Sequence, residues 1–129
     1  MGVRIAAFDE TSIRITAPLS ANINHRETFF GGSISGLGIL AGWTLLHLNL
    51  VREGYDHRLV VQHSSTDYRA PAEGDVESHC YLSSPDDWKK FIDTLTRKTK
   101  ARIHLRARTT VMGELAAEHE GSYVAILVK

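Results

Sequence analysis

Apolar and polar positions alternate with a period of two over residues 101–112. Ile103, Leu105, Ala107, Thr109 and Val111 interleave there with Arg102, His104, Arg106, Arg108 and Thr110. That pattern predicts a strand with one wet face. Just upstream the period lengthens: Trp88, Phe91, Ile92 and Leu95 fall at i, i+3, i+4 and i+7, which predicts an amphipathic helix within 85–100. Ser84 is placed to cap it, with Pro85 at the first helical position and Asp87 completing a capping box. Downstream, Gly113-Glu114 predicts a turn into a last strand over 115–128, where Gly121 is a candidate bulge.

The first half reads differently. Residues 3–8 and 12–17, rich in Val, Ile and Ala and parted by Asp9-Glu10-Thr11, predict a short hairpin that Pro18 ends. From Ser20 to Phe30 there is no period, so a loop is expected. It leads into a helix over 32–53, stopped by Gly54. Two extended runs, 58–69 and 75–83, are separated by Ala70-Pro71-Ala72-Glu73-Gly74 and are expected to pair as long strands.

The long helix is unusual because no Asp, Glu, Lys or Arg occurs from Thr28 to Val51. Its length would span a bilayer. Five glycines, with Ser33, Ser35, Thr44, His47 and Asn49, lower its hydrophobicity and favour a helix buried on all sides in a soluble domain. An antiparallel sheet wrapped around that helix explains why no face of it is charged. This α+β arrangement, with a second short helix, is the hotdog fold, whose protomers commonly pair edge to edge.

Composition narrows the function. With 129 residues, 43% of them apolar, the expectation is one domain over 1–129. Fifteen basic and fifteen acidic residues cancel, which argues against a general nucleic-acid or membrane binder. The lone Cys80 excludes an intramolecular disulfide, and neither it nor the seven histidines show metal-ligand spacing, so no metal and no cofactor is expected. The N-terminal residues carry no targeting signal, and the expected compartment is the cytoplasm.

Two nominal motifs fail. Gly31-Gly32-Ser33-Ile34-Ser35 lacks the last glycine of a nucleophile elbow, and Gly36-Leu37-Gly38-Ile39-Leu40-Ala41 has no strand feeding it as a dinucleotide fingerprint requires. The informative unit is the polar loop Asn22-Ile23-Asn24-His25-Arg26-Glu27-Thr28-Phe29-Phe30, delivered onto Gly31-Gly32-Ser33 at the start of the helix. Free N–H groups of Gly32 and Ser33 there can receive an anion or developing oxyanion, and Asn24 can add an amide donor. Equally, Ser33 or Thr28 can simply cap the helix while the asparagines stabilise turns.

The string APLSANINHRETFFGGSISGLGILAGW, followed by DYRAP, closely resembles the thioesterase-like hotdog family of the YiiD C-terminal domain, which includes malonyl-acyl carrier protein decarboxylases. The resemblance covers residues 4–128. The chain starts near the first strand, without the family's N-terminal helix, as a short form or an excised domain would. The resemblance implies an acyl-thioester substrate, maps the catalytic asparagine onto Asn24 in preference to Asn22, and matches Tyr68 and Pro71 to a tyrosine and proline of the family's second long strand. Arg69 stands where many members have leucine. His25, Thr28, Phe29, Phe30 and Gly31 are the accompanying candidates for contact with substrate.

Chemistry then separates two activities. A hotdog hydrolase commonly activates water with a helix carboxylate, and here the helix has none before Glu53, which leaves Glu27 of the loop as the nearby acid. Decarboxylation needs only donors for an enolate oxygen and a poorly solvated carboxylate, which Asn24, the helix start, Phe29 and Phe30 can supply. The expected activity is decarboxylation of a malonyl group on acyl carrier protein, in fatty-acid or polyketide assembly. The alternatives are an acyl thioesterase and a silent acyl-binding dimerisation module. The basic run Arg97, Lys98, Lys100, Arg102, Arg106 and Arg108 is the candidate surface for an acidic carrier protein or the phosphates of coenzyme A, or else a solvated strand face.

Overall fold

The computed structural model describes residues 1–128. Nine elements follow in order: β1 (Arg4–Phe8), β2 (Ser12–Ala17), a 3-10 turn (Leu19–Ala21), α1 (Gly31–Arg52), β3 (His57–Tyr68), β4 (Val76–Tyr81), α2 (Pro85–Lys98), β5 (Lys100–Val111) and β6 (Glu114–Leu127). The six strands form one antiparallel sheet in the order β1-β2-β4-β5-β6-β3. α1 packs against β2 through β6, as the hotdog arrangement requires.

The alternation in β5 is realised residue by residue: Ala101, Ile103, Leu105, Ala107 and Thr109 are buried and the intervening side chains are exposed. Ile13, Ile15, Val76 and Cys80 extend the same inner face across β2 and β4, and Leu37, Ala41, Leu45, Leu46 and Leu50 meet it from α1. Burial pushes the Cys80 thiol up to about 12, so it is an inert core side chain.

Glycines set how closely the helix approaches. A methyl group on Gly38 would collide with the His119 ring, and one on Gly42 with the Tyr123 hydroxyl. Both rings project from β6 onto α1, and Tyr123 donates to the Ile39 carbonyl at 2.9 Å. The small residues therefore seat aromatic rings of the sheet, and α1 is the core helix of the domain.

Four local expectations change. β3 and β4 do not pair: β3 lies at the sheet edge beside β6, while β4 lies between β2 and β5. The 70–74 segment is a connection between distant strands and not a hairpin turn. The β5–β6 turn is Met112-Gly113, both at positive φ (50° and 83°), one residue earlier than expected and of the two-residue type that suits strand twist. Gly121 pairs regularly with Leu105 and Ser64; the irregularities fall between Val61 and His63 in β3 and at Thr109/Thr110 of β5. Its hydrogen instead leaves room for the Tyr123 ring, which a methyl group would approach to 3.1 Å. Finally, Ser84 caps α2 by accepting from the Asp87 N–H at 3.4 Å, without the reciprocal bond of a full capping box among the described contacts.

Candidate active site

The loop before α1 is a miniature hairpin. Ile23 and Phe29 bridge in antiparallel fashion, the Asn24 N–H donates to the Thr28 carbonyl at 2.8 Å, and the Phe30 N–H donates to the Asn22 carbonyl at 2.7 Å. Glu27 makes the turn in the left-handed region (φ 62°), a conformation uncommon for a residue with a side chain. The Phe29 N–H reaches the Ala72 carbonyl at 2.8 Å, which fastens the loop to the segment after β3. Phe29 itself is buried, so it forms the floor of the loop, whereas Phe30 is 55% exposed.

The two asparagines are used differently. Asn22 is buried and both of its amide protons are engaged, by the Met1 and Pro18 carbonyls at 2.8 Å each. Asn24 is half-buried. Its Oδ1 accepts from the Arg26 and Thr28 N–H groups at 2.9 and 3.1 Å, and its Nδ2 donates to Thr28 Oγ1 at 2.8 Å. One Nδ2 proton of Asn24 has no protein acceptor among the described contacts. A rigid loop thus fixes an amide that keeps one donor free.

α1 begins without a side-chain cap and with no acid in its first turn. The Ser33 and Ile34 N–H groups both donate to the Phe30 carbonyl, at 3.0 and 3.1 Å. The amides without a protein acceptor among the described contacts are therefore those of Gly31 and Gly32; Ser33, expected as a donor, has its amide engaged. Tyr68, at the end of β3, donates its hydroxyl to the Gly31 carbonyl at 2.7 Å and ties the helix start to the sheet edge. Chain continuity through Phe29 and Phe30 puts Asn24 and Thr28 in the same corner as Gly32 and Tyr68; His25 and Pro71 are exposed.

Of the carboxylates, Glu27 is in the same turn as Asn24, its N–H donating to the Asn24 carbonyl at 3.2 Å. Glu27 is exposed at the loop tip, and Glu53 lies beyond the far end of α1, where it accepts from Trp88 Nε1 at 2.9 Å. Of the basic run, Arg97 pairs with Asp93 at 3.3 Å, Arg102 donates to Gln62 at 3.2 Å, and Arg106 pairs with Glu120 at 3.1 Å. Thr109 registers with Ala117 and Ala117 with Tyr68, so the stretch of β5 from Lys100 to Thr109 spans about 30 Å. Arg97, Lys98 and Lys100 consequently stand at the opposite end of the same chain from Asn24. A depression of about 690 Å³ crosses the outer sheet face at Arg106, Arg108, Glu118 and Glu120, and no residue of the loop lines it.

The histidines have separate fates. His47 Nδ1 faces His57 Nε2 at 3.1 Å, and burial followed by the His57 charge lowers its pKa. His119 is 5% exposed between Thr66 and Thr109, and burial pushes it down to about 4. Among the described residues no three His, Cys, Asp or Glu side chains converge on a metal-sized site. The two polar partners of His119 come from two other strands, β3 and β5, and leave no local signal in the sequence.

Comparison with known proteins identifies the fold and the family. A family model described as "Putative thioesterase (yiiD_Cterm)" matches residues 1–127. The protein OLEI01261 of Chlorobaculum tepidum TLS, of unknown function, superimposes with a TM-score of 0.92 at 29% identity, over 98% of this chain and 83% of that one. A Shewanella oneidensis "putative thioesterase" does so with a TM-score of 0.87 at 27% identity, over 98% and 85%. The Haemophilus influenzae thioesterase HI1161, at 15% identity and a TM-score of 0.76 over 98% and 79%, shares the fold. With the match running through loop, helix and both sheet edges, the chain belongs to the YiiD C-terminal thioesterase-like hotdog family.

Proposed function

We propose that this protein decarboxylates a malonyl thioester carried on acyl carrier protein. The observation that carries this reading is the corner itself: one free Asn24 amide proton and two free backbone amides, with no carboxylate on the helix that presents them. In the reaction the bond from the malonyl α-carbon to its carboxylate breaks, carbon dioxide leaves, and the electron pair forms an enolate on the thioester. A proton from solvent then restores the acetyl thioester. The enzyme's part is to hold the enolate oxygen, and fixed donors are suited to charge that appears only in the transition state. The helix dipole adds roughly 0.3–1 kcal/mol in the same sense. Phe30 covers the helix start with an apolar ring.

The site works as a pair of chains in this reading. β3 has a neighbour on one side only, and Val60, Val61 and Tyr68 are exposed along it at 52%, 40% and 54%. An edge of this kind invites a second copy. Pairing of two copies there would enclose the corner by Tyr68, which one chain leaves open, and would bring a partner's basic run within reach of it.

Hydrolysis is the second reading, favoured by the family's thioesterase members, with Glu27 as the loop's acid. Mass spectrometry of malonyl-loaded carrier protein after incubation separates the readings. Asn24-dependent acetyl-carrier protein is the expected product. Free carrier thiol would establish a thioesterase, and unchanged substrate a binding module.

A further inference from the structure

One group of polar side chains near the corner has no part in the proposed chemistry. Ser35 of α1, Thr66 of β3, His119 of β6 and Thr109 of β5 form a continuous chain. Thr66 Oγ1 donates to Ser35 Oγ at 3.2 Å, Thr66 Oγ1 meets His119 Nδ1 at 3.1 Å, and His119 Nε2 meets Thr109 Oγ1 at 2.8 Å. Thr109 is fully buried and His119 nearly so, and Gly38 must lack a side chain for the imidazole to fit. Apolar side chains would fill this space without the cost of removing an imidazole and hydroxyls from water.

Proton counting gives the chain a direction. Thr66 has one hydroxyl proton, and it goes to Ser35. The contact with His119 must therefore be Nδ1–H donating to Thr66. Burial keeps the imidazole neutral, so its Nε2 accepts from the Thr109 hydroxyl. Every proton points from the core toward the helix, and the Ser35 hydroxyl proton is at the open end.

This direction excludes one role for Ser35 and favours another. Ser35 accepts a hydrogen bond and has no base, since Thr66 separates it from His119, so it is not set up as a nucleophile. Accepting from Thr66 polarises its own O–H and makes it a better donor. Ser35 is half-buried, one turn beyond Gly31 and about 6 Å deeper along the axis. It lies on the β3 side, where Tyr68 and Thr66 both reach α1. A substrate whose carbonyl rests at the Gly31 and Gly32 amides, and whose acyl end runs along α1 on this β3 side, would meet Ser35 one turn on.

We propose that Ser35 is the specificity-determining hydroxyl of the site, donating to the carboxylate at the acyl end of a malonyl thioester, and that Thr66, His119 and Thr109 are positioning residues that hold it. This rests on the malonyl-thioester reading above. A single neutral donor orients the carboxylate without solvating it strongly enough to oppose its loss.

The test is binding, by titration calorimetry with malonyl-loaded and acetyl-loaded acyl carrier protein, in the Asn24→Ala background so that substrate survives. The expected preference for malonyl over acetyl is about 10- to 100-fold, the range of a hydrogen bond to a charged group. Adding Ser35→Ala should abolish it. Adding Thr66→Val should weaken it severalfold, and Thr66→Ser should restore it. Thermal melts identify any variant that fails to fold; the Thr66 pair then carries the test. A preference that survives both Ser35→Ala and Thr66→Val overturns the proposal, as does the absence of any preference in the parent. Whether the wild-type chain decarboxylates is read separately by mass spectrometry, so a failure of that reading is distinguishable.

Discussion

The molecule contains two helix starts built on opposite plans. α2 begins with Ser84 as cap, Pro85 at the first position, and Asp86 and Asp87 in the first turn, so its free amides and dipole are answered locally. α1 begins with an uncapped Phe30, two glycines and no acid. The same backbone physics applies to both, and only one is left unsatisfied. A bare helix start beside a fixed amide donor forgoes stability and leaves donors free for negative charge, and the proposed function places the enolate there.

The difference can be broken deliberately. Asn24→Ala should lower turnover roughly 100- to 1000-fold, the effect of removing one oxyanion donor, about 2.7–4 kcal/mol of transition-state stabilisation. Asn24→Asp should be as poor, because a carboxylate accepts and repels an enolate. Steady-state kinetics on folded variants checks both, and normal activity would remove Asn24 from the mechanism.

A second effect concerns the buried imidazole beneath the bare end, which has no counterpart under α2. His119 titrates near 4 in the folded chain and near 6.5 when unfolded, so as pH falls the unfolded chain takes up the proton first. Stability from this group is complete above 6.5 and declines toward 4, by on the order of 3 kcal/mol. Urea unfolding across that window should show the decline, and His119→Gln should flatten it whatever its effect on absolute stability. An unchanged slope would mean that His119 is protonated in the fold.

Giving α1 the plan of α2 should invert function and stability. Phe30→Asp places an acceptor over the free Gly32 amide and should raise stability by about 0.5–2 kcal/mol while suppressing activity, because its carboxylate occupies the enolate's place. A variant that stays active would show the bare start to be incidental. At the other helix, Ser84→Ala should cost about 1 kcal/mol in denaturant unfolding and leave kcat and KM unchanged. Loss of activity there would show that the two starts are coupled.

What could be read from sequence follows the range of the forces involved. The α2 cap, the β5 alternation and the core role of the uncharged helix depend on neighbours within a few residues, and each is found nearly where expected. The pairing of residues 58–69 with 75–83 was inferred from adjacency, and adjacency does not hold across a sheet that inserts β5 and β6 between those strands. At the candidate site, sequence alone brings Asn24 and the glycines together because loop and helix start are contiguous. That Asn22 has no free amide proton, and that Ser33 has its N–H engaged, depends on the Met1, Pro18 and Phe30 carbonyls. The Ser35 chain draws on residues up to 84 positions apart in sequence and matches no motif.

The position of β3 also governs when the site can exist. Its hydrogen-bonding partner is the last strand, with His57 registered on Leu127 and Tyr68 on Ala117. During synthesis α1 and β3 emerge early, yet Tyr68 has no sheet to hold it against Gly31 until β6 is made. Such long-range closure is slow, and it leaves an apolar helix and an unpaired strand exposed to aggregation in the meantime. A ribosome-bound chain that stops before β6 would therefore be a client for chaperones and not an enzyme, and assembly of the corner would be the final event of folding.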